Sequence, residues 1–170
     1  MVCWRLCKRE WAGTAFSGGG AAEFPGRWNS AGMRVVYCAD SLSLAALEAL
    51  VHVEDKTILS HARFAAFEVS VPDRLIHAPL ALPPGWNQTP VRRSVREFGD
   101  AFLVCRKAPV MRVPSAVIPN GIIYLINPLH PEFPKITLGA PIPFRFDQRL
   151  YPKPPSAKRV KPRESAAHRP

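Results

Sequence analysis

The sequence predicts an α+β fold with a mostly antiparallel sheet and a few flanking helices. Two observations carry this expectation. Short runs rich in β-branched and aromatic residues recur along the chain, bounded by Gly, Pro or Asn. Only two segments have strong helical character, and no stretch repeats at a fixed period.

Taken in order, Cys3-Trp4-Arg5-Leu6 reads as a first strand, with Arg5 either facing solvent or pointing into a site. Gly18-Gly19-Gly20 lacks the remaining residues of a dinucleotide fingerprint or a phosphate loop, and reads as a flexible loop. Ser30-Ala31-Gly32 is turn chemistry, followed by a short strand over Val35-Val36-Tyr37. Asp40 or Ser41 can cap the helix that follows. From Leu42 to Val51 that helix is almost entirely Leu and Ala, a composition that predicts burial on most sides.

Phe64 to Val71 alternates as a half-buried strand ending at Pro72. Thr89-Pro90 has the signature of a helix start, and Val91, Val95, Phe98, Phe102 and Cys105 form one apolar stripe behind it. Arg92, Arg93 and Arg96 lie off the stripe, as a solvated face or an anion contact. Val110 to Val113 and Ile122 to Ile126 are strands, with Asn127-Pro128-Leu129-His130-Pro131 breaking the chain after them. Ile136 to Leu138 and Phe144 to Phe146 are short late strands.

The chain of 170 residues, 47% hydrophobic, can build one domain with a real core, placed at residues 1–150. Residues 151–170 form a Pro-rich basic tail expected to be disordered, and carry half of the formal net charge of +10. The high charge is therefore weak support for a nucleic-acid-binding module in the folded part. Cys3, Cys7, Cys38 and Cys105 form no C-x-x-C pair, so no zinc site is expected, and most should be buried reduced thiols. No apolar run reaches the ~20 residues needed to span a bilayer, and the N-terminus has no secretory h-region. A soluble cytoplasmic protein with no membrane partner is expected.

Metalloprotease and nucleophile-elbow motifs are absent, and His52, His61, His77 and His130 have no metal-like spacing. A Cys–His nucleophile remains open, because such partners need only meet in space. The informative acid is Glu48, the only charge on the aliphatic helix. A carboxylate there loses hydration unless it is paired or lines a polar cavity. It is either a structural bridge to Arg27 or Arg34, or a working group.

The runs Gly26-Arg27-Trp28-Asn29, Val35-Val36-Tyr37, Leu47-Glu48, Val113-Pro114-Ser115 and Asn127-Pro128 with His130-Pro131 together resemble the RES domain. Glu97-Phe98-Gly99-Asp100-Ala101-Phe102 and Phe146-Asp147-Gln148-Arg149-Leu150 extend the likeness, which covers roughly residues 3–150 in the family's order. Pro25 and Phe102 depart from it, standing where Gly and Trp are common. The family is named for Arg, Glu and Ser residues that correspond here to Arg27, Glu48 and Ser115. The resemblance implies a compact ADP-ribosyltransferase-like fold with a split sheet. It implies a toxin that degrades NAD⁺ at the nicotinamide–ribose bond, with NAD⁺ as substrate and no resident cofactor or metal. Some relatives instead transfer ADP-ribose to protein. An Xre-type antitoxin is the implied partner, with DNA met only through it, and a homodimer is left open.

With that substrate in view, Glu48 is expected to stabilise the positive charge that builds on the ribose. Arg27 is expected to grip the pyrophosphate in bidentate fashion, with Arg5 as a second clamp. Tyr37 would stack on the cationic nicotinamide ring. Ser115 would hydrogen-bond the substrate or hold Glu48 in place.

Overall fold

A computed structural model describes residues 1–53 and 56–150, and the basic tail expected to be disordered lies outside the described residues. The strands are β1 (Val2–Lys8), β2 (Val36–Ala39), β3 (Phe64–Ser70), β4 (Ile76–His77), β5 (Val110–Pro114), β6 (Ile122–Ile126), β7 (Thr137–Leu138) and β8 (Ile142–Phe144). The helices are α1 (Gly19–Glu23), α2 (Leu42–Val51), α3 (Ile58–His61) and α4 (Arg93–Cys105), with short 3-10 turns between elements. The result is the expected α+β fold. The strand order is β4-β5-β6-β2-β1-β3-β7, with β8 also on β3, and every pairing is antiparallel except β4 with β5.

The sheet is nearly split. β1 pairs with β3 along all seven of its residues, and β2 with β6 along all four. Between β1 and β2 the register holds at Trp4 opposite Ala39 alone. One half-sheet is therefore β4-β5-β6-β2, the other β1-β3 with β7 and β8, and the two share a narrow seam.

Alternation along the strands separates two cores. Trp4, Leu6, Tyr37, Ala39, Met111, Val113, Ile123 and Leu125 face the cluster that receives α2 and α4. Cys3, Val36, Cys38, Val110, Tyr124 and Ile126 face the other side. Cys3, Cys7 and Cys38 are buried free thiols, as their composition suggested, and Cys105 is exposed. Burial raises the Cys38 thiol well above its ordinary value, and a hydrogen bond with Cys3 adds to the rise.

Five local expectations need correction, one being the strand expected at Phe144 to Phe146, which lies at Ile142–Phe144. The helix expected to begin at Thr89-Pro90 starts instead at Arg93, because Arg92 is extended (φ −69°, ψ 146°). Gly18-Gly19-Gly20 is not a loose loop, since Gly18 takes a left-handed φ of 69° and starts α1. α2 is not buried on most sides. Only Leu44 and Ala45 are fully covered, while Leu47 and Val51 are exposed. Phe64 to Phe67 are buried on both faces, where alternation predicted one.

Candidate active site

Glu48 sits in the seventh position of α2, which Ser41 caps by accepting a hydrogen bond from Leu44 N–H at 3.1 Å. Its carboxylate is half-buried. Ser115, at the end of β5, donates its hydroxyl proton to Glu48 Oε1 at 2.7 Å. The direction is forced. Ser115 Oγ accepts from the amides of Val117 at 3.0 Å and Ile118 at 3.1 Å, so both lone-pair directions are taken and the proton is left for Glu48. Gly121 helps close this corner, because a Cβ there would lie 2.9 Å from Leu44 and 3.3 Å from the Ser115 Cβ. The contact matches one of the two arrangements expected for Ser115, a hydrogen bond to Glu48. No ion pair joins Glu48 to Arg27 or Arg34 among the described residues. The structural-bridge alternative is therefore not realised.

The loop from Gly26 is built around Asn29, which is fully buried. Its Nδ2 donates to the carbonyls of Ala21, Ser30 and Met33, and its Oδ1 accepts from Gly26 N–H at 2.9 Å and the Tyr37 hydroxyl at 2.7 Å. The Tyr37 oxygen in turn accepts from Trp28 N–H at 3.1 Å. Gly26 must lack a side chain, because a Cβ would stand 2.6 Å from that hydroxyl. Burial pushes the Tyr37 pKa well up, against lowering by the Trp28 amide; Asp100 adds to the rise, while Arg27 and Arg96 oppose it. Sequence reasoning saw Asn29 only as part of a polar cluster and missed it as organiser. A polar residue three positions after a Gly in turn-rich sequence was the available signal.

Arg27 is anchored rather than free. Its Nη1 donates to the carbonyls of Trp86 and Gln88, both at 2.8 Å, leaving Nε and Nη2 for a ligand. Trp28 lies beneath, stacked on Trp86 at 6.1 Å between ring centroids. Arg5 lies in the seam. It has the strand parity of Cys3 and Cys7, and its Nη1 donates to the Tyr37 carbonyl at 3.1 Å. Its Nε is buried with no hydrogen-bond partner among the described residues. Arg5 is thus half-buried in the junction of the half-sheets, and the solvent-facing alternative is set aside.

The fold therefore joins Glu48 with Ser115, and Arg5, Tyr37 and the Gly26–Asn29 loop with one another. Two concave hollows lie apart from both groups. One, about 380 Å³, is lined by Met33, Arg34, Leu103 and Leu129 among others, and the second, about 360 Å³, by Lys8–Glu10 and His61–Arg63. Neither is lined by Glu48, Ser115, Arg5, Arg27 or Tyr37. His130, by contrast, is a capping residue, with Nε2 on the Arg106 carbonyl at 2.8 Å and Nδ1 accepting from Glu132 N–H at 3.0 Å. Among the described residues no three His, Cys, Asp or Glu side chains converge as metal ligands, and no helix is long and apolar enough to cross a membrane.

Comparison with known proteins bears on the family and the fold. The RES domain pattern matches residues 2–147. A protein named Toxin Res from Yersinia enterocolitica is 31% identical over 151 residues, covering 88% of this chain and 99% of its own. Toxin Res of Pseudomonas putida is 38% identical, covering 78% and 88%. A Prs ADP-ribosylating toxin from Sphingobium sp. is 31% identical, covering 88% and 96%. Among solved structures, a chain of the M. tuberculosis MbcT–MbcA toxin–antitoxin complex superposes with a TM-score of 0.65, at 18% identity over 85% of this chain and 84% of that one. The chain belongs to the RES domain family.

Proposed function

We propose that this chain is the toxin of a toxin–antitoxin pair and that it consumes NAD⁺ by breaking the nicotinamide–ribose bond. The observation that carries this reading is the Ser115–Glu48 hydrogen bond, which holds a half-buried carboxylate that no cation neutralises among the described residues. As the glycosidic bond breaks, its electron pair leaves with nicotinamide, which becomes neutral, and positive charge develops on the ribose. A fixed anion beside that carbon stabilises the transition state more than the ground state. Water or phosphate then attacks; with water the products are nicotinamide, ADP-ribose and a proton.

Arg27 holds the pyrophosphate through Nε and Nη2, the two positions that its loop contacts leave open. Arg5 is the second proposed clamp, through Nη2, since its Nη1 is held by the Tyr37 carbonyl and its Nε is buried. Tyr37 offers a ring whose orientation is fixed by two hydrogen bonds on its hydroxyl. The toxin role draws on the relatives named Toxin Res and on the likeness to a toxin–antitoxin complex. An antitoxin of the Xre type is the proposed partner, meeting DNA on behalf of the pair, and the chain acts in the cytoplasm.

A second reading has specific support. The Sphingobium relative is named an ADP-ribosylating toxin, so a protein side chain could replace water as acceptor. Incubation of the purified chain with NAD⁺, with and without phosphate and with a lysate, tests both. Free ADP-ribose or its phosphate establishes cleavage, and label retained on protein establishes transfer. NAD⁺ consumption at the natural rate by a folded Glu48→Gln variant would sink the role given to Glu48, whose loss should cost ~10²–10³ in rate.

A further inference from the structure

Positive charge gathers around one short loop. Arg27 donates Nη1 to the Trp86 and Gln88 carbonyls. Gly85, at φ +72°, lies so near Arg92 that a Cβ on it would stand 2.9 Å from Nε and 3.0 Å from Cζ. Arg96, one turn further along α4, donates Nε to the Gly26 carbonyl at 3.4 Å. Three guanidiniums thus border the 85–88 loop and the Gly26–Arg27 turn. None of them has a carboxylate at ion-pair distance among the described residues, whereas their neighbour Arg93 is paired with Glu97 at 2.7 Å.

Of the two acids on α4, Glu97 is paired with Arg93 and Asp100 accepts the Ser30 N–H at 2.9 Å. Like charges gathered around one loop repel, and an anion placed among them lowers that cost. A plain solvated face would suit Arg92, which is exposed, but Arg27 and Arg96 are half-buried. Both act electrostatically on the Tyr37 hydroxyl, as Asp100 does with opposite sign, so the two guanidiniums and this one carboxylate share its neighbourhood.

We infer that Arg92 and Arg96 join Arg27 as binding residues for the phosphates of the dinucleotide, Arg96 from the Gly26 side and Arg92 from the 85–88 side. The assignment rests on the NAD⁺ reading for the identity of the ligand, while the phosphate chemistry can be tested without turnover. Planar guanidiniums suit the pyrophosphate because each can donate two parallel N–H bonds to it.

The test is calorimetric titration of the full chain with ADP and, separately, with adenosine, which has the same base and sugar but no phosphate. Arg92→Gln and Arg96→Gln should each weaken ADP binding roughly tenfold or more, and Arg96→Lys should restore only part, having charge without the fork. Adenosine binding should not change, and Arg93→Gln should behave as the natural chain with both ligands. Unaltered ADP affinity in both Gln variants, an equal loss for adenosine, or no ADP binding by the natural chain overturns the assignment. NAD⁺ turnover measured alongside separates the two ideas. An inert natural chain whose ADP binding still depends on Arg92 and Arg96 removes the chemistry and keeps the phosphate site. Full NAD⁺ consumption with KM unmoved in both Gln variants does the reverse.

Discussion

Ser115→Ala removes one oxygen and three hydrogen bonds. Two are accepted from the amides of Val117 and Ile118, and one is donated to Glu48. Ser115 itself is buried, although Ile118 beside it is partly exposed, so water can reach one of the stranded amides. The stability cost is then about 1–3 kcal/mol, which in a chain of this size lowers Tm by about 2–4 °C per kcal/mol. The effect on chemistry is separate. A hydrogen bond to a charged group contributes about 1.5–3 kcal/mol, so loss of the contact that aims Glu48 should lower kcat for NAD⁺ about 10- to 100-fold. The decisive assay is a double-mutant cycle of nicotinamide release at a temperature where all four proteins are folded. If Ser115 works through Glu48, adding Ser115→Ala to Glu48→Gln costs almost nothing more. Independent, additive losses in kcat would refute this, as would a Ser115→Ala variant that melts early yet turns over at the natural rate.

Further outcomes follow from other contacts. Arg27→Lys should stay folded, because an ammonium can still reach the carbonyls of Trp86 and Gln88, but KM for NAD⁺ should rise about tenfold or more with no fork left for the pyrophosphate; steady-state kinetics with a melting curve check it. Gly99→Ala should be severely destabilising. A Cβ there would stand well inside contact distance of the Trp28 carbonyl, and neither backbone can yield cheaply, so the loss should reach about 3 kcal/mol or more, read by denaturant melts. Tyr37→Phe concerns alkaline pH. Because burial raises the folded-state pKa above the ordinary value of 10.0, the neutral phenol contributes stability in full below about pH 10, and that contribution is lost as the pH rises beyond it. The natural chain should therefore lose stability more steeply than Tyr37→Phe above that point, and parallel slopes in denaturant melts across the alkaline range would contradict the buried phenol.

Much of the fold was legible because its signals are local. Ser41 and the aliphatic run after it gave α2 its observed bounds, and Ile122 to Ile126 is β6 to the residue. Failures came where locality ends. An all-aliphatic helix has no polar positions to mark its outer face, so Leu47 and Val51 could not be recognised as exposed. Thr89-Pro90 carried real turn chemistry, but a few residues ahead of the helix it seemed to open. β4 is two residues paired in parallel, too short for any period. Within the site, the residue types at 27, 48 and 115 were legible through family likeness, while the contact between Glu48 and Ser115 spans 67 positions and is purely tertiary. The carbonyls that anchor Arg27 belong to a loop with no pattern of its own.

The narrow seam between β1 and β2 has a consequence for genetics at Arg5. Past Trp4 and Ala39 the backbone ladder stops, and the Tyr37 carbonyl is taken by a guanidinium instead of a neighbouring strand's amide. Arg5 is therefore a surrogate rung, fastening two plates that meet along one edge. A substitution there loosens the fastening, because the Tyr37 carbonyl loses its partner. Alleles at this codon therefore act first on the joint between the two half-sheets.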